Sequence, residues 1–294
     1  MLTYSPCRLC PRQCGADRAR GETGFCRMPG TVRAARAAAH YWEEPVISGA
    51  YGSGAVFFSG CTLGCGFCQN SEISTGGFGK ALDSAALRET FLRLIDEGVQ
   101  NINLVTPTHF LPDILPALTP KLPVPVVYNC GGYERVETLR ELEGLVDVYL
   151  PDMKYSDSAL AGRLSGAPDY PAVADAAIRE MVRQVGAPRY DDDQMTKGVL
   201  VRHLVLPGQV DNSLGVVEWF SRTFRPGEAL MSLMCQYVPA GRLAQTPPFD
   251  RPVTEEEYAA VRSWMELCGI REGYVQDFSA ASAEYIPQFD LEGL

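Results

Sequence analysis

The chain has 294 residues, 46% of them hydrophobic, and a formal net charge of -10. That apolar content suffices for a large core, and the length allows one domain or two. The acidity and the lack of any Lys/Arg-rich run argue against a nucleic-acid partner. No apolar stretch approaches the ~20 residues of a membrane-spanning helix.

Ten cysteines stand in the chain, and its start, Met1-Leu-Thr-Tyr-Ser-Pro-Cys7, has no apolar signal core. Clustered cysteines without a secretion signal read as metal ligands in a reducing cytosol rather than as a disulfide framework, so a cytoplasmic location is expected. The first 50 residues hold four cysteines, many arginines and little apolar periodicity. Cys7, Cys10 and Cys14, then Cys26, give the spacing C-x2-C-x3-C-x11-C. Four thiolates on so poorly hydrophobic a segment are a metal signature, because the segment has no other staple to fold around. Structural zinc, a rubredoxin-like iron and an auxiliary [4Fe–4S] cluster all suit four cysteines. Arg12, Arg18, Arg20 and Arg27 lie close by in sequence and can balance thiolate charge. Residues 1–50 are therefore expected to form a cysteine-rich metal-binding module, and 51–294 the main domain.

From Ala55 onward the pattern is strand, loop, helix, repeated. Short apolar runs predict strands at 55–59, 101–106, 124–129, 146–150, 199–206 and 230–235, with helices at 84–97, 112–118, 134–143, 172–185, 212–223 and 254–268. Asp83 or Ser84 can cap the first helix, and Thr254 with Glu257 forms a capping box for the last. Buried strands alternating with helices predict an α/β fold with a parallel sheet, whose sites sit at the C-terminal strand ends. The polar stretch 187–197, with Asp191, Asp192 and Asp193, reads as a solvated surface loop rather than a metal site.

The first strand runs into Gly60-Cys-Thr-Leu-Gly-Cys-Gly-Phe-Cys-Gln-Asn70, in which Cys61, Cys65 and Cys68 have the spacing C-x3-C-x2-C. A cubane cluster normally takes four cysteines, so three close thiolates suggest one iron left open to a cofactor. Zinc prefers four tetrahedral ligands, and unrelated buried thiols are the bland alternative. Gly60, Gly64 and Gly66 let the backbone turn tightly and aim amides at the sulfurs. Further on, Asp152 and Lys154 end a buried strand and should be paired or bound to a ligand. Arg202 and His203 sit in mid-strand on opposite faces, so one of them must face the interior. Cys130 and Cys235 lie at strand ends, where a thiol is either a hydrogen donor or a small buried hydrophobe; Cys268 reads as core. Gln236 and Tyr237 are candidates for substrate or cofactor contact.

The cysteine loop with its Cys-Gln-Asn ending resembles the signature of the radical S-adenosylmethionine (SAM) superfamily. Nearly the whole chain, from Cys7 to about Asp290, is similar to homologues of pyruvate formate-lyase-activating enzyme that carry a cysteine-rich N-terminus. The resemblance implies a partial (β/α)6 TIM-type barrel. It implies a [4Fe–4S] cluster on Cys61, Cys65 and Cys68, with SAM chelating the open iron and Phe67, Gln69 and Asn70 beside it. Reductive cleavage of SAM would give a 5′-deoxyadenosyl radical that abstracts hydrogen, in the activase case from a glycine Cα of a glycyl radical enzyme. Radical modification of another peptide or a small metabolite is the alternative, and electron transfer without SAM chemistry the alternative of another kind. A flavodoxin or ferredoxin would supply the electron, in an anaerobic setting.

Residue by residue, Thr106, Thr108 and His109 stand where the superfamily carries a Gly-Gly-Glu run that holds the methionine amino group; His109 reads equally as a turn residue. Asn129 takes the place of an aspartate that helps hold a monovalent cation. Asp152-Met-Lys154 is similar to the activase's Asp-Leu-Lys, with Lys154 suited to the SAM carboxylate or a peptide backbone and counted with the three cysteines as catalytic. Arg202 is expected to fork onto the SAM carboxylate, leaving His203 under the outer helices.

Overall fold

Each short apolar run becomes a strand because burial on both faces leaves no polar alternation to satisfy. A computed structural model of the chain describes residues 2–278 and 287–294. The strands are β1 (Val32–His40), β2 (Ser53–Phe58), β3 (Lys80–Leu82), β4 (Ile102–Val105), β5 (Val126–Cys130), β6 (Val148–Pro151), β7 (Arg189–Asp191), β8 (Gln194–Leu204), β9 (Leu230–Met234) and β10 (Gly273–Val275). The helices are α1 (Pro45–Ser48), α2 (Ser71–Ser74), α3 (Ser84–Asp96), α4 (Leu111–Ala117), α5 (Val136–Arg140), α6 (Ser158–Ser165), α7 (Tyr170–Val185), α8 (Val210–Thr223) and α9 (Glu255–Leu267).

One sheet runs in the order β10-β9-β8-β6-β5-β4-β2-β1-β3, with β7 hydrogen-bonded to β8. The ladders from β2 through β4, β5, β6, β8, β9 and β10 are all parallel. Helices α3 to α9 fill the crossovers. The six parallel strands predicted from sequence are all present, and the fold is a partial α/β barrel of the (β/α)6 TIM type with a cysteine-rich N-terminal segment. The caps act as expected: Asp83 accepts from Ala86 N–H, and Thr254 and Glu257 close a capping box.

Several elements depart from the expectation, among them the short α1, α2, β3 and β10. Val32–His40 pairs antiparallel with both β2 and β3, so sheet residues begin well before the expected boundary at residue 50. The stretch 187–197 is a β-hairpin rather than a loop, β7 pairing antiparallel with the start of β8 and its three aspartates exposed. The helix expected over 134–143 is confined to Val136–Arg140. The unpredicted helix α6 starts at Asp157, whose carboxylate accepts from Ala159 and Leu160 N–H.

The main core lies between the strands and the outer helices. A second cluster fills the barrel floor, where Val46 and Ile47 of α1 pack against Val127, Val148, Leu200 and Leu230. That plug places Glu43 and Glu44, directly before it, on the lining of the barrel, while Tyr41 and Trp42 stay exposed.

Candidate functional site

At the C-terminal strand ends opens a cleft of about 980 Å³, the upper range for a small-molecule site. Cys61, Cys65 and Cys68 line one wall together with Phe67, Gln69 and Asn70. Thr106, Asn129, Asp152, Lys154 and Arg202 line the opposite strand ends. The loop leaves β2 at Gly60, where φ is +83° and an added Cβ would fall 2.4 Å from Met28 Cγ and 2.8 Å from Cys26 O. Only glycine lets the loop pass so close to the N-terminal segment.

The sulfurs accept from nearby donors. Leu63 N–H reaches Cys61 Sγ at 3.4 Å, Ser165 Oγ reaches Cys65 Sγ at 3.0 Å, and Ser74 Oγ reaches Cys68 Sγ at 3.4 Å. Burial, with the neighbouring Cys65 sulfur adding to it, pushes the Cys61 thiol up to about 12 and raises Cys68. Thiols held neutral in this way need added positive charge to become thiolates, which is what iron supplies. Asn70 Oδ1, on the same wall, is buried with no hydrogen-bond partner among the described residues. The donor set and this orphaned oxygen fit a [4Fe–4S] cluster with a cofactor beside it. Among the described residues no group of three or more His, Cys, Asp or Glu surrounds a single ion position. A cubane spreads its ligands over separate irons and does not require that arrangement.

Facing the cysteines is a buried charge network. Asp152 Oδ2 accepts from Lys154 Nζ at 2.6 Å, and Oδ1 accepts from Arg202 Nε at 3.0 Å. Arg202 also donates to Glu43 Oε2 at 3.0 Å and to Asn129 Oδ1 at 2.6 Å, while Asn129 Nδ2 donates to Glu43 Oε1 at 3.2 Å. Burial alone would raise Asp152, but Lys154 and Arg202 outweigh it and hold its carboxyl below the usual range. Glu44, also on the cleft, is raised by burial and accepts from Ser232 Oγ at 2.8 Å.

Two expectations change here. Arg202 faces the interior as foreseen, but three of its N–H groups are committed to Asp152, Glu43 and Asn129, so it organises the wall rather than standing free to fork onto a cofactor carboxylate. Asn129 Oδ1, expected beside a monovalent cation, is taken by that guanidinium. Glu43 and Glu44 were not singled out from the sequence. Their one signal was two adjacent carboxylates directly before Pro45 and the apolar pair Val46-Ile47.

Thr106 ends β4 with φ +61°, an unusual conformation for a β-branched residue, and its N–H donates to Asn129 O at 2.8 Å. The following residues turn out of the cleft, and Thr108 and His109 are buried without lining it. Thr108 Oγ1 donates to Glu134 at 2.6 Å. His109 Nε2 donates to Ser59 O at 2.7 Å, its carbonyl accepts from Arg18, and burial lowers its ring to about 3. It is a neutral strut between β2 and the N-terminal segment. His203 is likewise internal, between Met153 O and Ser213 Oγ. Gly132 admits Asp152 on the neighbouring strand: an added Cβ would fall 2.2 Å from Asp152 O. Cys130, Gln236 and Tyr237 line the cleft, whereas Cys235 lies against Asp277 O at 3.5 Å.

Behind the cleft wall Glu134 is 2% exposed and accepts from Thr108, from Tyr128 Oη at 3.3 Å and from the Cys130 thiol. Burial pushes its carboxyl up from 4.5 to about 7. Between those values the folded chain keeps a proton that the unfolded chain has lost, so stability falls as pH rises through that window. Glu134→Gln removes the titration. Urea unfolding should show the variant gaining about 3 kcal/mol on the wild type between pH 4.5 and 7; parallel curves would contradict this.

The N-terminal cysteines are near enough to feel one another's charge, although no three of them surround a single ion position. Cys7, Cys10 and Cys26 are buried, Cys14 is exposed, and none is in a disulfide. Burial pushes Cys10 up to about 12, with the Glu134, Cys26 and Cys7 charges adding to it; burial also raises Cys26, against the pull of Arg18. Arg18 is 1% exposed, places Nη1 3.6 Å from Cys7 Sγ and spends its other donors on the carbonyls of Met28, Pro29 and His109.

No family model matches the chain. A protein of Methanocaldococcus jannaschii, described as uncharacterised, is 28% identical over 264 residues, covering 86% of this chain and 72% of the relative. Among solved structures, Streptococcus suis SuiB bound to precursor peptide SuiA aligns with TM-score 0.50 and 13% identity over 77% of this chain and 49% of SuiB. Methylornithine synthase (PylB) aligns with TM-score 0.47 and 13% identity over 76% of this chain and 70% of its own. The chain thus spans about half the length of SuiB. What it shares with SuiB is the fold, a partial parallel α/β barrel.

Proposed function

We propose that the chain is a radical SAM enzyme. The observation that carries this reading is the meeting of Cys61, Cys65 and Cys68 with a buried Asp152–Lys154–Arg202–Glu43 network across one cleft at the strand ends. Cys61, Cys65 and Cys68 would hold a [4Fe–4S] cluster. When bound, that cluster with SAM supplies one electron that splits SAM into methionine and a 5′-deoxyadenosyl radical able to take a hydrogen atom from substrate.

The chain's own residues do the positioning. Asn70 Oδ1 would accept a donor from the cofactor, Lys154 Nζ keeps N–H groups beyond its Asp152 bond for a carboxylate, and Thr106 lines the cleft after β4. Arg202 holds Asp152, Asn129 and Glu43 in one hydrogen-bonded network, and the Phe67 and Tyr237 rings help exclude water.

For substrate we assign a peptide or protein hydrogen donor, a glycine Cα–H of a glycyl radical enzyme being the case the loop resemblance implies. SuiB, solved with a precursor peptide, supports that class through the shared fold alone. Cys7, Cys10, Cys14 and Cys26 we assign to a second metal site, zinc or an auxiliary iron–sulfur cluster. A buried Arg18 facing a cysteine with no carboxylate supports an anionic thiolate centre there. The test is electron paramagnetic resonance of the anaerobically reconstituted, reduced protein. Its cluster signal should change when SAM is added, and a spectrum that SAM leaves unaltered would overturn the reading.

A further inference from the structure

On the side of the cysteine loop away from the cleft, three guanidiniums converge. Arg12 Nε donates to Thr62 O at 3.0 Å, with further bonds to Ser165 O and Gly166 O. Arg242 donates to Gly64 O at 3.3 Å and Leu164 O at 3.2 Å. Arg27 donates to Thr75 O at 3.1 Å. Between them lies Phe25, 44% exposed, its ring centroid 3.8 Å from Arg12 Cζ and its edge 3.7 Å from where a Cβ on Gly64 would be. Thr75 Cγ2 is 4.0 Å from that same point, which places the Arg27 contact on the same face.

All three arginines bond to neutral carbonyls, and none forms an ion pair among the described residues. Their charge is therefore not cancelled locally. The nearby carboxylate Asp169 takes the Tyr133 O–H at 2.8 Å instead. Residues 1–36 hold seven arginines against Asp17 and Glu22, a net of +5 in a chain whose total is -10. The positive face is thus local, on an otherwise acidic molecule. Gly64 is half-buried yet lies outside the cleft lining, so here the cysteine loop meets solvent without passing through the cleft.

We infer that this face, Phe25 ringed by Arg12, Arg27 and Arg242, is the docking surface for an acidic one-electron carrier protein. An exposed aromatic flanked by arginines is the composition of an interface centre. Opposite charge would steer a carboxylate-rimmed carrier here and away from the acidic remainder of the surface. The step is a bare electron transfer: the carrier is oxidised by one electron, the cluster is reduced by one, and no bond or proton moves. This inference rests on the radical SAM reading.

The test uses the anaerobically reconstituted full chain, with reduced flavodoxin as the carrier and dithionite as a reductant that needs no docking. Stopped-flow bleaching of the cluster gives the rate. The wild-type rate with flavodoxin should fall about tenfold between about 0.05 and about 0.5 M salt. Arg242→Glu should lower the low-salt rate by about three- to tenfold and flatten the salt dependence, with dithionite reduction unchanged. A salt-independent wild-type rate, or an Arg242→Glu rate equal to the wild type, overturns the docking surface. The wild-type salt series needs no variant and stands even if Arg242→Glu fails to fold. A chain that cleaves SAM with dithionite but fails the salt test sinks the docking alone. One that forms no reducible cluster sinks both readings.

Discussion

Replacing Cys61, Cys65 and Cys68 together with Ala is expected to remove about four irons and about four sulfides per chain from the reconstituted protein. All three thiols line one cleft wall, all accept hydrogen bonds, and burial suppresses the ionisation of Cys61 and Cys68. The triple variant should still fold, because Leu63 and Phe67, which the loop contributes to the main core, are retained and the sheet and its helices supply most of the rest. What survives then identifies the metal on Cys7, Cys10, Cys14 and Cys26. About four remaining irons mean a second cubane, and about one zinc with no iron means a structural staple. Iron content equal to the wild type would refute cluster binding by this loop.

Arg202→Met should destabilise the chain by about 3–5 kcal/mol, among the largest costs of a single substitution. Arg202 touches two carboxylates, Asp152 and Glu43, and its charge also lowers Glu44. Removing it leaves Asp152 with Lys154 alone and Glu43 with only the Asn129 amide. Methionine keeps much of the volume, so the loss measures charge rather than a cavity. Adding Glu43→Gln to Arg202→Met removes one unpaired carboxylate and should recover part of the loss, as a double-mutant cycle in urea would show. A cost below about 1 kcal/mol would mean the network is solvated.

Legibility in the sequence followed burial. The six parallel strands were readable because strands covered on both faces, such as Val126–Cys130 and Leu230–Met234, are predominantly apolar, with one polar residue each. Strand β1 was not, because its sequence, Val-Arg-Ala-Ala-Arg-Ala-Ala-Ala-His, has two arginines and small side chains that reach the core only through pairing with β2 and β3. The cysteine loop, Asp152, Lys154 and Arg202 could be picked out because charge at the end of an apolar strand demands a partner. Which partner was hidden: Glu43 lies 159 residues from Arg202, and only the α1 plug brings it into the barrel. Thr108 and His109 follow Thr106 directly in sequence, yet the turn at Thr106 sends them behind the wall that Thr106 itself lines.

The most direct test of the central claim is the yield of 5′-deoxyadenosine from SAM and dithionite under anaerobic conditions, wild type beside Cys65→Ala. Formation of 5′-deoxyadenosine by the wild type and none above background by Cys65→Ala is the result expected of a cluster held by this loop. No product from an iron-replete wild type, or equal product from Cys65→Ala, would contradict it.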